Sequence, residues 1–217
     1  MENKLKPETK PVLYELKSAN IRTIMVTGDN LQTACTVGLS SGMLPNASSL
    51  LLLEACEPKG GSSASFTCHP VERSRDKSHK QNNTAKYLVT TTNESIWGFN
   101  VSAWKYHYAM SGKTYEIMKQ HFPSLVPDIL LNATIFGRMT PNQKTSIIED
   151  LQKINYYVGM CGDGANDCGA LKIAHAGISL SNLEASVASP FTSNISNIEC
   201  VPKLLKEGRN TLVTSIC

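Results

Sequence analysis

Apolar and polar positions along this chain follow a helical rhythm in some stretches and a strand rhythm in others, and the changes of rhythm mark its elements. Residues 11–19 place Val12, Leu13, Leu16 and Ala19 at helical spacing behind Pro11, which a first turn tolerates, and Asn20 ends the pattern. Residues 21–26 form a β-branched and apolar run that predicts a strand, emptying into Thr27-Gly28-Asp29-Asn30, after which a second helical pattern continues through Leu39. From about residue 44 to 132 the rhythm loosens. Leu50 to Leu53 is a short apolar island; Gly60-Gly61-Ser62-Ser63 and the stretch from His69 to Lys86 hold almost no core-forming residues. The part around Arg73 to Lys80 predicts a solvated, poorly ordered loop. Strand-like pieces follow at 87–92 and 96–100, then a mixed helical region at 112–121.

Regular alternation then returns: strand 133–136, helix 141–154, strand 156–161, helix 165–174, strand 176–180. Strands alternating with helices predict a parallel sheet covered by helices on both faces, with ligands beyond the carboxyl ends of its strands. Thr27-Gly28-Asp29 and Gly162-Asp163-Gly164 are both expected at that one edge. The chain thus reads as an α/β domain in two parts, 1–45 and 133–217, with residues 46–132 as a partly disordered insertion.

Composition narrows the setting. At 217 residues and 41% hydrophobic, the chain can bury one substantial core or a core plus an insertion. A net charge of +3 is too mild to point to nucleic acid, and no such partner is expected. No apolar run approaches the roughly 20 residues that cross a bilayer. The charged start MENKLKPETK has no apolar segment behind it, so a cytoplasmic address is the expectation for the isolated chain. In that setting the N-x-[ST] matches at Asn46, Asn82, Asn93, Asn100, Asn132 and Asn194 are chance occurrences in an Asn/Ser/Thr-rich sequence. Seven scattered cysteines with no C-x-x-C pair argue for reduced thiols, with no disulfide partner and no zinc site.

The run CGDGANDCGALK, residues 161–172, carries the chemistry. Its two carboxylates, Asp163 and Asp167, straddle a strand-to-helix turn, and Gly162 and Gly164 let the backbone bend and approach a ligand. Hard oxygen donors of this kind suit Mg²⁺, which takes one or two carboxylates while keeping waters and phosphate oxygens. The plainer reading is a turn followed by an acid in a helix's first turn. Thr27-Gly28-Asp29 offers a hydroxyl and a glycine N–H to phosphate oxygens, although Thr-Gly-Asp-Asn is also a good turn and helix cap. Lys144 sits where it could reach a phosphate as a point charge, although most helical lysines face solvent.

Together MVTGDN (25–30), GRMTPNQK (137–144) and GDGANDCGALK (162–172) resemble the phosphorylation domain of a P-type ATPase. That domain has the haloacid-dehalogenase-like fold. The cysteine of CGDGANDCGALK, the run SLSNLEASVASPFTS and the start ENKLKPETKPVL resemble the P5B subgroup, cation- or polyamine-transporting ATPases of endolysosomal membranes. The resemblance implies a three-layer parallel sheet, ATP and Mg²⁺ as ligands of the parent pump, and a cytosolic position for this region. It also implies partners: the pump's nucleotide, actuator and transmembrane domains. Residue by residue, it implies that Thr27 and Gly28 hold the phosphoryl group and that Asp29 and Arg138 contact nucleotide. Lys144 would neutralise the transferring phosphate, Asn166 would contact it, and Asp163 would bind Mg²⁺ with Asp167 beside it.

These pumps phosphorylate an aspartate in a D-K-T-G-T motif on an apolar strand upstream of T-G-D, and the chain has no such motif. Arg75-Asp76-Lys77-Ser78 lies on the wrong side of Thr27 and has neither strand nor following glycine. Ser111-Gly112-Lys113-Thr114 ends like a phosphate-binding loop, but His107 stands at the first glycine position and no apolar strand is read before it. His69, His79, His107, His121 and His175 show no metal spacing. The expectation is an incomplete sheet lacking its first strand, in a chain that is by itself catalytically inactive. A non-catalytic regulatory product and a soluble phosphatase of the same fold are the alternatives. The family pattern would continue from about Arg209 into a membrane-entering helix.

Overall fold

The computed structural model describes residues 4–44, 50–58, 63–71, 87–90, 106–181 and 187–216. The tetrapeptide at Arg75, the strand expected at 96–100 and residues 60–62 of the Gly/Ser stretch lie outside the described residues. The chain divides into two compact units. One comprises Ile24–Ser40 and Leu44–Met139, and the other Met1–Thr23, Ser41–Met43 and Thr140–Cys217.

The first unit is built on a six-stranded sheet. Its strands are β1 (Met25–Val26), β2 (Leu50–Cys56), β3 (Ser65–Pro70), β4 (Tyr87–Thr90), β5 (His107–Ser111) and β6 (Ala133–Gly137). They lie in the order β1-β6-β5-β2-β3-β4. The first three pairings are parallel, and the last two, β2 with β3 and β3 with β4, are antiparallel. Every residue of β6 is buried, as expected of a parallel strand covered on both faces. Helix α2 (Leu31–Ser40) packs Ala34 and Cys35 against Leu44, Leu50, Ala109 and Ile135. Helix α3 (Gly112–His121) brings Met118 and its following Phe122 onto Ala64 and Phe66, with the Phe66 and Phe122 rings edge to face at 5.3 Å. Helix α4 (Val126–Asn132) leads directly into β6.

The stretch read as an irregular insertion therefore supplies β2, β3, β4 and β5 of this sheet. Leu50 and Leu53 are buried strand residues, and Phe66 and Cys68 alternate inward from a segment whose polar neighbours hid it. An apolar strand also does precede Ser111-Gly112-Lys113-Thr114: Tyr108, Ala109 and Met110 are buried in β5. Ser111 caps α3 at once, its hydroxyl accepting from the Thr114 N–H at 3.2 Å, so no loop is left to cradle a phosphate.

The second unit holds a parallel three-stranded sheet, β7 (Gly159–Gly162), β8 (Ala176–Ser179) and β9 (Phe191–Thr192), in that order. Helices α5 (Pro141–Lys153) and α6 (Cys168–Ile173) accompany it. Gly177 is required here, because a Cβ would overlap the Leu171 carbonyl where α6 crosses β8. Helix α1 (Thr9–Ser18) buries Val12, Leu13 and Leu16. Its Glu15 accepts a 2.6 Å ion pair from Lys206 on α7 (Cys200–Ile216). Leu212, Val213 and Ile216 of α7 are exposed, and no described helix is long and apolar enough to cross a membrane.

One expectation is corrected. The strands ending at Thr27 and at Gly162 do not share a sheet: β1 pairs with β6 and β7 pairs with β8. Among the described residues no strand is hydrogen-bonded to both β1 and β7, and each stands at the edge of its own sheet.

Candidate functional site

The Thr27 loop is stitched to the end of β6. The Thr27 N–H donates to the Phe136 carbonyl at 2.9 Å, and the Met139 N–H donates back to the Thr27 carbonyl at 3.0 Å. The Arg138 N–H donates to the Asp29 carbonyl at 2.8 Å, with Arg138 in the left-handed region at φ 51°. Inside the turn, the Thr27 hydroxyl oxygen accepts from the Asp29 N–H at 3.1 Å, so its O–H remains a donor. Asn30 accepts from the Gln32 N–H at 3.0 Å and caps α2, so the plain turn-and-cap reading holds for that residue.

Two glycines of this loop pair differ in why they are glycine. At Gly137 a Cβ would stand 2.6 Å from the Leu31 Cα, so the start of α2 rests on bare backbone. At Gly28 the nearest atom to an added Cβ is the Met139 carbonyl oxygen at 3.9 Å, an ordinary contact. Packing demands the first and leaves the second open. Gly28, Asp29 and the Arg138 side chain are exposed together on this turn.

In the other unit the GDGAND loop is assembled around a buried ion pair. Thr140 and Gln143 form a reciprocal capping box, Thr140 accepting from the Gln143 N–H at 3.3 Å and Gln143 accepting from the Thr140 N–H at 3.1 Å. That cap sets the first turn of α5 so that Lys144 points inward. Its ammonium donates to Asp167 Oδ1 at 2.7 Å, and each residue is only 8% exposed. A solvent-facing lysine is thereby ruled out at this position.

The Asp167 carboxylate in turn lies over Gly162. A Cβ there would come within 2.8 Å of Asp167 Oδ2 and 2.9 Å of its Cγ. Gly164, by contrast, has 3.7 Å to the same oxygen, and a methyl would fit. The helix expected at 165–174 arrives as a 3₁₀ turn, Ala165–Asp167, followed by α6. The Asp167 N–H bonds back to the Gly164 carbonyl at 3.0 Å, closing that tight turn. Asp163 and Asn166 project from it into solvent. The Leu180 N–H holds the loop's base through the Gly162 carbonyl at 2.9 Å.

Ahead of the loop, burial pushes the Cys161 thiol up to about 12. Cys200, and then the carboxylates of Asp163 and Asp167, add to that shift. Gly137 could have been found, since a glycine directly after an apolar strand marks a close backbone approach.

The residues predicted from the motifs are thus grouped within each unit. Thr27, Gly28, Asp29 and Arg138 form one turn; Lys144 and Asp167 form an ion pair with Asp163 and Asn166 on the same loop. Among the described residues no three His, Cys, Asp or Glu side chains stand in a ligating group. A loop offering two carboxylates, one exposed and one already held by an ammonium, has the donor set for Mg²⁺, which retains most of its waters and takes few protein ligands. His107 is accounted for by a 2.9 Å bond between its Nδ1 and Thr134 Oγ1, and His175 accepts from the Val158 N–H at 3.1 Å.

No family model matches the chain. It is 57% identical over 218 residues to the human "Probable cation-transporting ATPase 13A4", an alignment that takes in all of the chain and 18% of that protein. With the human "Probable cation-transporting ATPase 13A5" it shares 57% over 215 residues, 99% of the chain and 17% of the relative. With the human "Polyamine-transporting ATPase 13A3" it shares 49% over 218 residues, again all of the chain and 18% of the relative. The chain spans less than a fifth of the length of these proteins, and the T-G-D turn and GDGAND loop lie inside that span. From end to end, then, the chain is similar to a segment of P5B-type cation- and polyamine-transporting ATPases that makes up about 18% of their length.

Proposed function

We propose that this chain is the phosphoryl-handling part of a P5B transport ATPase, a haloacid-dehalogenase-like domain missing the strand that carries the phosphorylated aspartate. The pump would couple ATP hydrolysis, through an aspartyl-phosphate, to movement of a cation or polyamine across an intracellular, endolysosomal membrane, with this region in the cytosol. The observation that carries the reading is the inward Lys144. Its ammonium is fixed against Asp167 in the loop that also presents Asp163, which is the electrostatic preorganisation phosphoryl transfer needs.

In this reading Asp163 holds Mg²⁺, with Asp167 beside it. When bound, the ion neutralises charge on the phosphoryl oxygens. Lys144 adds a positive charge that cannot swing away, since the capping box sets its helix and Asp167 its tip. Asn166 donates from the exposed side of the turn to a phosphate oxygen. Thr27 gives its hydroxyl proton, and Gly28 its N–H, to the phosphoryl group; the open space over Gly28 supports this, because packing alone does not require a glycine there. Asp29 and Arg138 face the nucleotide. Among the described residues β1 and β7 each pair on one side only, and the other side of each is where a further strand can add.

Every step of the chemistry needs the acceptor carboxylate, so the chain alone is expected to be inactive. The test combines two measurements. Mg²⁺ titration followed by amide NMR is expected to shift signals of the GDGAND loop in the wild type and not in Asp163→Asn. Incubation with γ-labelled ATP and acid quenching is expected to leave no acid-stable, hydroxylamine-labile phosphate on the chain. Labelled acyl-phosphate would overturn the inactivity, and undiminished loop shifts in Asp163→Asn would overturn the metal assignment.

A further inference from the structure

A second surface of the unit that holds α1, α5 and α6 lies at the amino ends of β7 and β8, at the other end of these strands from the GDGAND loop. Helices α1 and α5 end there in the same way. Asn20 and Asn155 take the left-handed conformation, at φ 58° and 65°. The Ile21 N–H then donates to the Leu16 carbonyl at 2.9 Å, and the Tyr156 N–H to the Leu151 carbonyl at 3.1 Å. In such a Schellman ending the residue after the left-handed one commonly packs an apolar side chain back onto its helix. Here Ile21 and Tyr156 are exposed instead.

Short contacts join these ends into one face. The Arg22 guanidinium lies over the Tyr156 ring, 5.9 Å from its centre. Gln152, near the end of α5, donates through Nε2 to the Ile173 carbonyl at the end of α6, at 2.9 Å. The His175 N–H donates to the Val158 carbonyl at 2.9 Å, and the His175 ring lies 5.2 Å from that of Tyr157. Tyr157 stands out from the surface, 92% exposed, and Ile173 is exposed as well. The three segments that build the face, 16–22, 151–158 and 171–176, hold Lys17, Arg22, Lys153, Lys172 and His175 and neither aspartate nor glutamate. Lys17, Lys153 and Lys172 are exposed, each in the last turn of its helix. Asp150 holds Lys153 at 2.8 Å, so the outward positive charge is that of Lys17 and Lys172.

We propose that this face is a lipid-contact surface, lying against the headgroups of an anionic bilayer with Tyr157 entering the interface and Ile21, Tyr156 and Ile173 around it. Tyrosine suits that depth, because its ring is apolar while its hydroxyl stays wet. Lysines beside it gain from the negative surface potential of anionic lipid. A single protruding aromatic fits a deformable lipid surface, whereas a peptide partner is ordinarily taken in a groove or along a free strand edge. The modest net charge of +3 does not disclose the surface, since it is the fold that gathers cations at these helix ends. The 4 residues of β7, roughly 13 Å of strand, separate this face from Asp163 and Asp167, so the proposal does not rest on the phosphoryl chemistry.

The test is flotation of the full 217-residue chain with vesicles, which leaves aggregated protein behind. Binding to phosphatidylcholine vesicles with about 30% phosphatidylserine is expected to exceed binding to phosphatidylcholine alone by about tenfold at low salt, and to fall toward it at high salt. Tyr157→Ser and the double variant Lys17→Glu/Lys172→Glu are each expected to weaken binding by about fivefold, with amide spectra unchanged away from the face. In the wild type, a spin-labelled headgroup lipid should broaden the amide signals of residues 17–22, 155–158 and 172–175; this readout needs no variant, and broadening confined to other residues would overturn the proposal. So would equal binding to the two kinds of vesicle, or undiminished binding in both variants. Loss of binding in Leu212→Ser/Ile216→Ser with Tyr157→Ser unaffected would place the contact on the exposed residues of α7 and overturn it too. Preference for an acidic, tyrosine-containing peptide such as poly(Glu,Tyr) over the vesicles would assign the face to a protein partner instead.

Discussion

Removing the ammonium from Lys144 is the sharpest probe of the GDGAND loop. Lys144→Met keeps an unbranched side chain of similar length and leaves the Asp167 carboxylate, 8% exposed, without its counter-charge. At 2.7 Å and an effective dielectric near 20, the pair attracts by about 6 kcal/mol. Several kcal/mol per ion of desolvation offsets most of that, while loss of one partner from a buried pair costs roughly 3 kcal/mol. Lys144→Met and Asp167→Asn are each expected to lose about 2–3 kcal/mol, and the double variant much less than their sum, with a coupling energy of about 2 kcal/mol. Urea unfolding, monitored by probes in the unit that contains α5, β7 and α6, is the assay; at a slope of about 2 kcal/mol/M each single variant moves the midpoint by more than about 1 M. Repeating the cycle in 1 M salt should change the coupling little, because a buried pair is poorly screened. A coupling below about 0.5 kcal/mol, or one that salt abolishes, is what an exposed pair gives and would refute the argument.

Two further outcomes follow from packing and burial. Gly162→Ala, forcing a methyl to 2.8 Å from Asp167 Oδ2, is expected to cost about 1–3 kcal/mol in urea unfolding, whereas Gly28→Ala, with 3.9 Å of room, stays within about 0.5 kcal/mol; equal costs would refute the distinction. Burial raises the Cys68 thiol from 9.0 to about 12, and burial, with the charges of Cys68 and Tyr106, raises the Tyr108 phenol from 10.0 to about 12. The folded state therefore keeps protons that the unfolded chain releases. The stabilisation is complete below pH 9 and is lost as pH climbs toward 12, at up to about 1.4 kcal/mol per pH unit per group. Cys68→Ala should flatten the first part of that fall, between pH 9 and 10.5, in urea midpoints of the unit carrying β3; an unchanged slope would count against it.

Much of the site was legible because local chemistry writes it. Glycines beside acids at a strand end, a threonine followed two residues later by an aspartate, and Thr-Pro-x-Gln opening a helix all act within a few residues. The structure keeps them as a turn, a loop and a capping box. The strands of residues 50–70 were not legible for the opposite reason. Their inward residues are spaced by Glu54, Ser65, Thr67 and His69, and only pairing with β5 and with each other makes them a sheet.

By itself the sequence determined the order of the elements over residues 11–39 and 133–180, the two loops and the resemblance to P5B pumps, since these rest on local patterning and on motif identity. Tertiary structure decided the rest. It turned Lys144 inward onto Asp167, because burial of a charge depends on which carboxylate the fold brings to it. It separated Gly137 and Gly162, which packing requires, from Gly28 and Gly164, which it does not. It set β1 and β7 in different sheets, pairings between distant segments that no local pattern encodes.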